Sequence, residues 1–171
     1  MHRWQLLAGL AVGAGFAAWV ACAHATPEAR IGRMGERVRV GSLVYNVFED
    51  HWKAKLGDGP TERIPKDRFF LVRLTVVNGG AADLMVPAMT LVDDSGETFP
   101  ELSDGDQVPS WIGYLRQIKP AEALDGNVVF DVAPKHYRLR VADENGQQAR
   151  EIDIPLTFSP DAPEMPLPGQ P

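Results

Sequence analysis

The sequence predicts an all-β antiparallel sandwich of two layered sheets. Three observations support this: apolar residues recur at every second position in short runs, turn residues separate those runs, and no 3.6-residue apolar period is sustained. The clearest run is Arg68 to Asn78, rich in β-branched and aromatic residues. Phe70, Val72, Leu74 and Val76 fall on one face and Arg73 and Thr75 on the other, so this strand is covered by a core on one side.

Residues 1–25 have the layout of an export signal. A short positive start with His2 and Arg3 precedes an apolar run from Leu6 to Ala21, and Ala23-His-Ala25 offers small residues for cleavage before Thr26. The run contains Gly9, Gly13 and Gly15 and is barely long enough to span a bilayer, so cleavage is expected over retention as an N-terminal anchor. Cys22 is the single cysteine. Lipidation there is the minority option, because Trp19 stands where lipid-anchored exports usually carry leucine. The folded part has no cysteine, which excludes disulfides, thiol catalysis and cysteine-ligated metal from it.

Residues 26–35 read as a polar, glycine-containing linker, and 36–158 as the sandwich. Glu36 to Val40 and Leu43 to Phe48 are alternating runs split by Gly41-Ser42, a hairpin signal. Asp50 to Lys66, broken by Gly57, Gly59, Pro60 and Pro65, reads as a loop. After the central strand, Asn78-Gly-Gly80 reverses the chain with residues that tolerate positive φ. Leu84 to Val86 and Met89 to Val92 are short strands separated by Pro87, and Asp93-Asp-Ser-Gly96 turns into Thr98-Phe99. Pro100 to Ala123 is the least regular interior segment. Its apolar residues Leu102, Val108, Trp111, Ile112, Tyr114, Leu115 and Ile118 suit packing against the sandwich, with a short helical turn allowed. Gly126 to Val132, His136 to Val141 and Arg150 to Ile154 complete the strands, the last two joined by the Glu144-Asn-Gly146 turn. Ser159 to Pro171 holds five prolines and reads as a disordered or extended tail. The count is seven to nine short strands at spacings typical of an immunoglobulin-like antiparallel β-sandwich.

At 171 residues, with 44% hydrophobic and 23% charged content, the chain has enough apolar material for one self-sufficient domain without a metal or disulfide staple. The formal charge is −6 and the basic residues are scattered along the sequence, which argues against nucleic acid and against simple adsorption to anionic lipid. Membrane contact is expected only through the N-terminal segment.

No G-x-S-x-G, phosphate loop or H-E-x-x-H motif occurs, so no enzyme activity and no cofactor are expected. His51 and His136, with Asp50 nearby, form a metal site only if the fold brings them together; two solvent-edge histidines are the expected outcome. Asp93, Asp94 and Glu97, and again Asp104 and Asp106, cluster as calcium ligands do. The ordered spacing of a calcium loop is missing, and turn formation explains both clusters more simply. Trp52, Trp111 and Tyr114 are the binding candidates, because large aromatics outside regular strands are common anchors; the competing reading is that they plug the open end of the core.

The order of landmarks resembles the DUF4352 family of exported bacterial domains of unknown function. The matching pieces are Val38-Arg-Val-Gly-Ser-Leu-Val-Tyr45, Phe69 to Asn78 with its Gly-Gly turn, Leu91 to Phe99, and Lys119-Pro-Ala-Glu122 leading into Gly126 to Val132. The resemblance covers about residues 34–155. It implies an immunoglobulin-like sandwich behind a signal or lipid anchor and brings no catalytic residues. One departure is Ala121, where the family's turn usually has glycine after proline. The expectation is therefore a noncatalytic exported module, periplasmic or extracellular, that binds another envelope protein or ligand. The runner-up is a periplasmic small-molecule or metal-binding protein.

Overall fold

The computed structural model describes residues 30–156. Eleven strands follow one another: β1 (Gly32–Arg33), β2 (Arg37–Val40), β3 (Leu43–Lys53), β4 (Phe69–Asn78), β5 (Leu84–Val86), β6 (Thr90–Asp93), β7 (Thr98–Pro100), β8 (Arg116–Ile118), β9 (Ala123–Asp131), β10 (Tyr137–Ala142) and β11 (Ala149–Ile154). One sheet has the order β1-β11-β10-β6-β7 and the other β2-β3-β4-β9, while β5 and β8 form a separate two-stranded strip. Pairing is antiparallel except between β1 and β11. The architecture is the expected immunoglobulin-like β-sandwich.

Two-residue periodicity builds the core. Phe70, Val72, Leu74 and Val76 of β4 are buried between the sheets with Leu43, Tyr45 and Val47 of β3, Val128 and Phe130 of β9, and Leu139, Val141, Ile152 and Ile154 from the opposite layer. Each such side chain contributes about 1.5–3 kcal/mol on leaving water. The two buried tyrosines keep their hydroxyls satisfied. Tyr45 donates to the Ala142 carbonyl at 2.7 Å, linking the two layers, and Tyr137 donates back to the Ala133 carbonyl at 2.7 Å. The second is the tyrosine corner found where a sandwich strand begins after a crossover. Burial pushes the Tyr137 phenol up to about 12 and raises Tyr45 as well.

Several expectations need correction. The linker predicted over 26–35 ends earlier, because Gly32 and Arg33 pair with Ile152 and Asp153. A Cβ on Gly32 would come within 2.5 Å of Val38 Cγ2, so a glycine lets this edge strand pack closely. The predicted loop from Asp50 begins late, since β3 continues to Lys53. A bulge between Val47 and Glu49 inserts Phe48 and shifts the parity. Trp52 thereby faces Phe70 in the core while His51 turns outward. The run looked finished at Phe48 because the alternation breaks there. Gly41 does turn the β2–β3 hairpin at φ +57°. Gly79 and Gly80, by contrast, are not among the positive-φ glycines. The chain reverses there because the buried Asn78 side chain donates to the carbonyls of Ala82 (2.7 Å) and Ile118 (3.1 Å) and accepts from the Gly80 amide (2.8 Å). The 100–123 segment contains β8 and no helical turn. The strand count exceeds seven to nine because β1 and β8 are too short to alternate visibly. The leader over 1–25 with Cys22, the start of the linker, and the proline-rich tail lie outside the described residues.

Candidate functional site

The long segment after β7 crosses from one sheet to the other. The Glu101 amide donates to the Met89 carbonyl at the end of the first sheet, and the next amide, Leu102, donates to Val129 in β9. The segment then follows β9: Asn127 donates to the Ser110 carbonyl (2.9 Å), Ile112 donates to the Asn127 carbonyl (3.2 Å), and the Asn127 side chain donates to Pro109 (2.7 Å). It occupies the free edge of β9, which would otherwise present unpaired backbone groups.

It also covers a second core. Phe69 and Leu71 lie on the face of β4 opposite the sandwich interior, where they are buried with Leu56, Val108 and Val129 under Leu102 and Trp111. Trp111 rests directly on Gly105: a Cβ there would lie 1.9 Å from the indole Cδ2. Arg63 fastens the same loop by donating to the Asp106 carbonyl at 2.5 Å, its guanidinium 5.5 Å from the centre of the Phe69 ring.

Beyond Ile112 a buried ion pair anchors the chain. Arg116 Nη2 meets Glu101 Oε1 at 2.6 Å with side chains 2% and 1% exposed, and Arg116 Nε donates to the Gly113 carbonyl. Burial raises the Glu101 carboxyl above its usual range, and Arg116 pulls it down. This clamp closes the chain between residues 101 and 116 into a loop whose tip projects Tyr114 (38% exposed) and Leu115 (66% exposed). Leu115 holds φ +54°. Met85, 44% exposed, lies on the neighbouring strand opposite Gln117.

The three aromatic candidates are thus not brought together. Trp52 stacks on Phe70 with centroids 4.1 Å apart and seals the main core. Trp111 seals the second core on the opposite face of the same sheet. Trp52 and Trp111 are partly buried, and Tyr114 is the exposed one of the three. The two histidines are also apart. His51 Nε2 meets Glu49 at 3.1 Å on the β3–β4 sheet, whereas His136, at the start of β10, bridges Asp94 and Asp153 at 2.8 Å each. Hydrogen bonding to Asp94, then to Asp153, raises the His136 pKa. Both aspartate clusters are turns. Asp93 Oδ1 accepts from Ser95 N, Ser95 Oγ and Glu97 N, which holds its carboxyl at about 2, and Asp104 Oδ1 accepts from Asp106 N. Among the described residues no group of three or more His, Cys, Asp or Glu is placed to hold a metal ion, and no helix is long and apolar enough to cross a membrane.

Sequence reasoning missed two features. The sequence places Leu115 among the packing residues, yet it is presented outward, two residues after Gly113 at φ +83°. The basic residues looked scattered, but the fold gathers Arg30, Arg138, Arg140 and Arg150 around one hollow. The i, i+2 spacing of Arg138 and Arg140 on a predicted strand already placed those two on one face.

The profile of the family described as a domain of unknown function, DUF4352, matches residues 32–149. Among solved structures, the YjhA protein from Bacillus subtilis is similar at 14% identity, with a TM-score of 0.57 over 73% of this chain and 100% of its own. MPT63, a secreted protein from Mycobacterium tuberculosis, gives 15% identity and a TM-score of 0.55 over 75% of this chain and 100% of its own. An uncharacterized β-sandwich protein from Clostridium difficile gives 9% and 0.50, over 75% of this chain and 97% of its own. Identities this low speak for the fold alone. No curated protein matches the chain.

Proposed function

Because this chain belongs to the DUF4352 family, whose domains have no known function, we propose from its own geometry that it is a noncatalytic, exported binding module of the bacterial envelope. Its contact surface is the tip formed by Tyr114 and Leu115. The observation that carries this reading is Leu115, an apolar side chain two-thirds exposed on a left-handed backbone held by a buried clamp. Such strain persists only where surrounding structure over-determines it, and a rigid apolar tip suits an apolar recess on a partner protein. Export is supported by the signal-like layout of residues 1–25. The noncatalytic reading is supported by the missing hydrolase and nucleotide motifs and by the use of Asp93, Asp104 and His136 in turns and cross-links.

The test is capture from envelope extract by the immobilised full chain, compared with Tyr114→Ala and Leu115→Asp. Both variants are expected to melt like the parent and to lose the captured protein; capture undiminished by Leu115→Asp refutes the tip as the contact. Mass spectrometry of the exported protein is expected to find Thr26 at its start, and an intact Met1 or a lipidated Cys22 would correct the export reading.

A further inference from the structure

One hollow reverses the sign of an otherwise acidic chain. It lies on the outer face of the β1-β11-β10-β6-β7 sheet, measures about 650 Å³, and is lined by Arg30, Arg138, Arg140 and Arg150 with Glu151 and Ile31. Its volume falls in the range of small-ligand sites. Register explains how the group forms: Arg138 and Arg140 alternate onto the outer face of β10, and Arg140 lies directly across from Glu151. Glu151 takes Arg138 Nη1 at 3.0 Å and Arg140 Nη2 at 2.9 Å, which fixes both guanidiniums on a rigid ladder. Cross-strand pairing accounts for those two residues but not for the others. Arg150 reaches the carbonyl of its neighbour Ala149 at 3.1 Å, and Arg30 holds Glu36 at 3.3 Å on the exposed side. Arg138 Nε is buried with no hydrogen-bond partner. Four arginines thus line a hollow whose one acidic lining residue, Glu151, contacts two of them.

We infer that this hollow binds a compact ligand carrying one or more phosphate groups. A guanidinium donates in a planar fork, and several such forks lining one hollow suit the tetrahedral array of phosphate oxygens better than one planar carboxylate. Arg138 and Arg140 stand roughly 6.6 Å apart along the strand, room for more than one anionic centre. The ligand is compact because surface charges are screened within about 8–10 Å, and a long polyanion would run onto the acidic remainder of the surface. The phosphate could belong to a free phosphate compound or to a lipid headgroup, since the apolar leader ends shortly before Arg30 in the sequence.

The experiment is calorimetric titration of the full chain with pyrophosphate, in parallel with sedimentation on phosphatidylglycerol and phosphatidylcholine vesicles. Saturable pyrophosphate binding is expected, about tenfold weaker in Arg140→Ala and Arg150→Ala and unchanged in Arg37→Ala, which lies outside the hollow. Glu151→Gln removes the internal competitor for two guanidiniums and is expected to tighten binding about tenfold, an effect that a purely structural ion-pair cluster would not give. Vesicle binding that needs phosphatidylglycerol and falls in Arg150→Ala, without a pyrophosphate response, assigns the phosphate to a headgroup. Failure of both arms, or equal loss in Arg37→Ala, overturns the site.

Discussion

In β4 every second side chain enters the core and the backbone stays extended for ten residues, whereas between Glu101 and Glu122 the non-glycine residues Gln107, Ser110, Leu115 and Ala121 all take positive φ. No other described non-glycine residue does so. The ladder regions are specified by periodicity, and many substitutions that preserve the pattern would preserve them. The segment is specified by individual contacts: the Glu101–Arg116 clamp, the Trp111–Gly105 stack, the Asn127–Pro109 bond and the Arg63 carbonyl bonds. Most of its backbone strain lies beside these contacts, so each should fail singly and sharply.

The clamp should show the largest effect. Glu101→Ala leaves the Arg116 charge buried and unpaired, and a loss of about 3–5 kcal/mol in urea unfolding is expected. Glu101→Leu combined with Arg116→Met removes both charges and should recover most of that loss, because desolvation offsets much of a buried pair's attraction. A Glu101→Ala loss below about 1 kcal/mol would mean that water reaches the pair and that the segment is not held there.

Gly105→Ala comes next. The added methyl must displace Trp111 from its seat on the second core, with an expected loss of about 1–3 kcal/mol and a change in tryptophan emission. The same methyl in the regular ladder, as in Val72→Ile, should leave the emission as it was. If Gly105→Ala is silent in both readouts, the indole does not depend on that glycine.

Ala121→Gly tests the segment's strain in the favourable direction. The left-handed conformation lets the Ala121 amide bond Asn78 O (3.0 Å) while Asn78 N takes Glu122 O (3.1 Å), so the turn docks on the end of β4. An L-residue there loses about 1–2 kcal/mol to its Cβ. Glycine relieves this and returns about 0.5–1 kcal/mol as chain entropy, leaving a net gain near 0.5–1 kcal/mol. A lowered melting temperature in Ala121→Gly would contradict this account of the turn.

The same contrast explains what the sequence disclosed. Alternation located β4, β5, β6 and β10 within a residue or so, because burial on one face writes itself into every second position. The bulge at Phe48 hid the second half of β3, since one inserted residue breaks the period without ending the strand. Phe69 and Leu71 overturn the expectation that β4 is covered on one side alone: they lie on its other face under the second core, and nothing local in the run tells which segment covers them. Ala121, where the family's turn usually has glycine, takes a positive φ. The exposed tip at Leu115 and the arginine hollow depend on pairing between distant strands, which no single run of sequence encodes.

The smallest effect belongs to His136, where the regular half of the molecule borrows the segment's method of construction. Its ring ties Asp94, in the β6–β7 turn, to Asp153 on β11, and these two carboxylates raise its pKa above the ordinary 6.5. Lys135 beside it is engaged with Asp93, whose own low pKa places that aspartate's titration at far more acid pH. A raised folded-state pKa means that the contribution is fully present below pH 6.5 and is lost as pH climbs through the higher folded value. The melting temperature should therefore fall slightly from mildly acid to mildly alkaline buffer in the parent, and less so in His136→Gln. Because the ring is about one-third exposed, solvent screening keeps the difference small. Identical pH profiles for the two proteins would show that the bridge orients the turn without stabilising it.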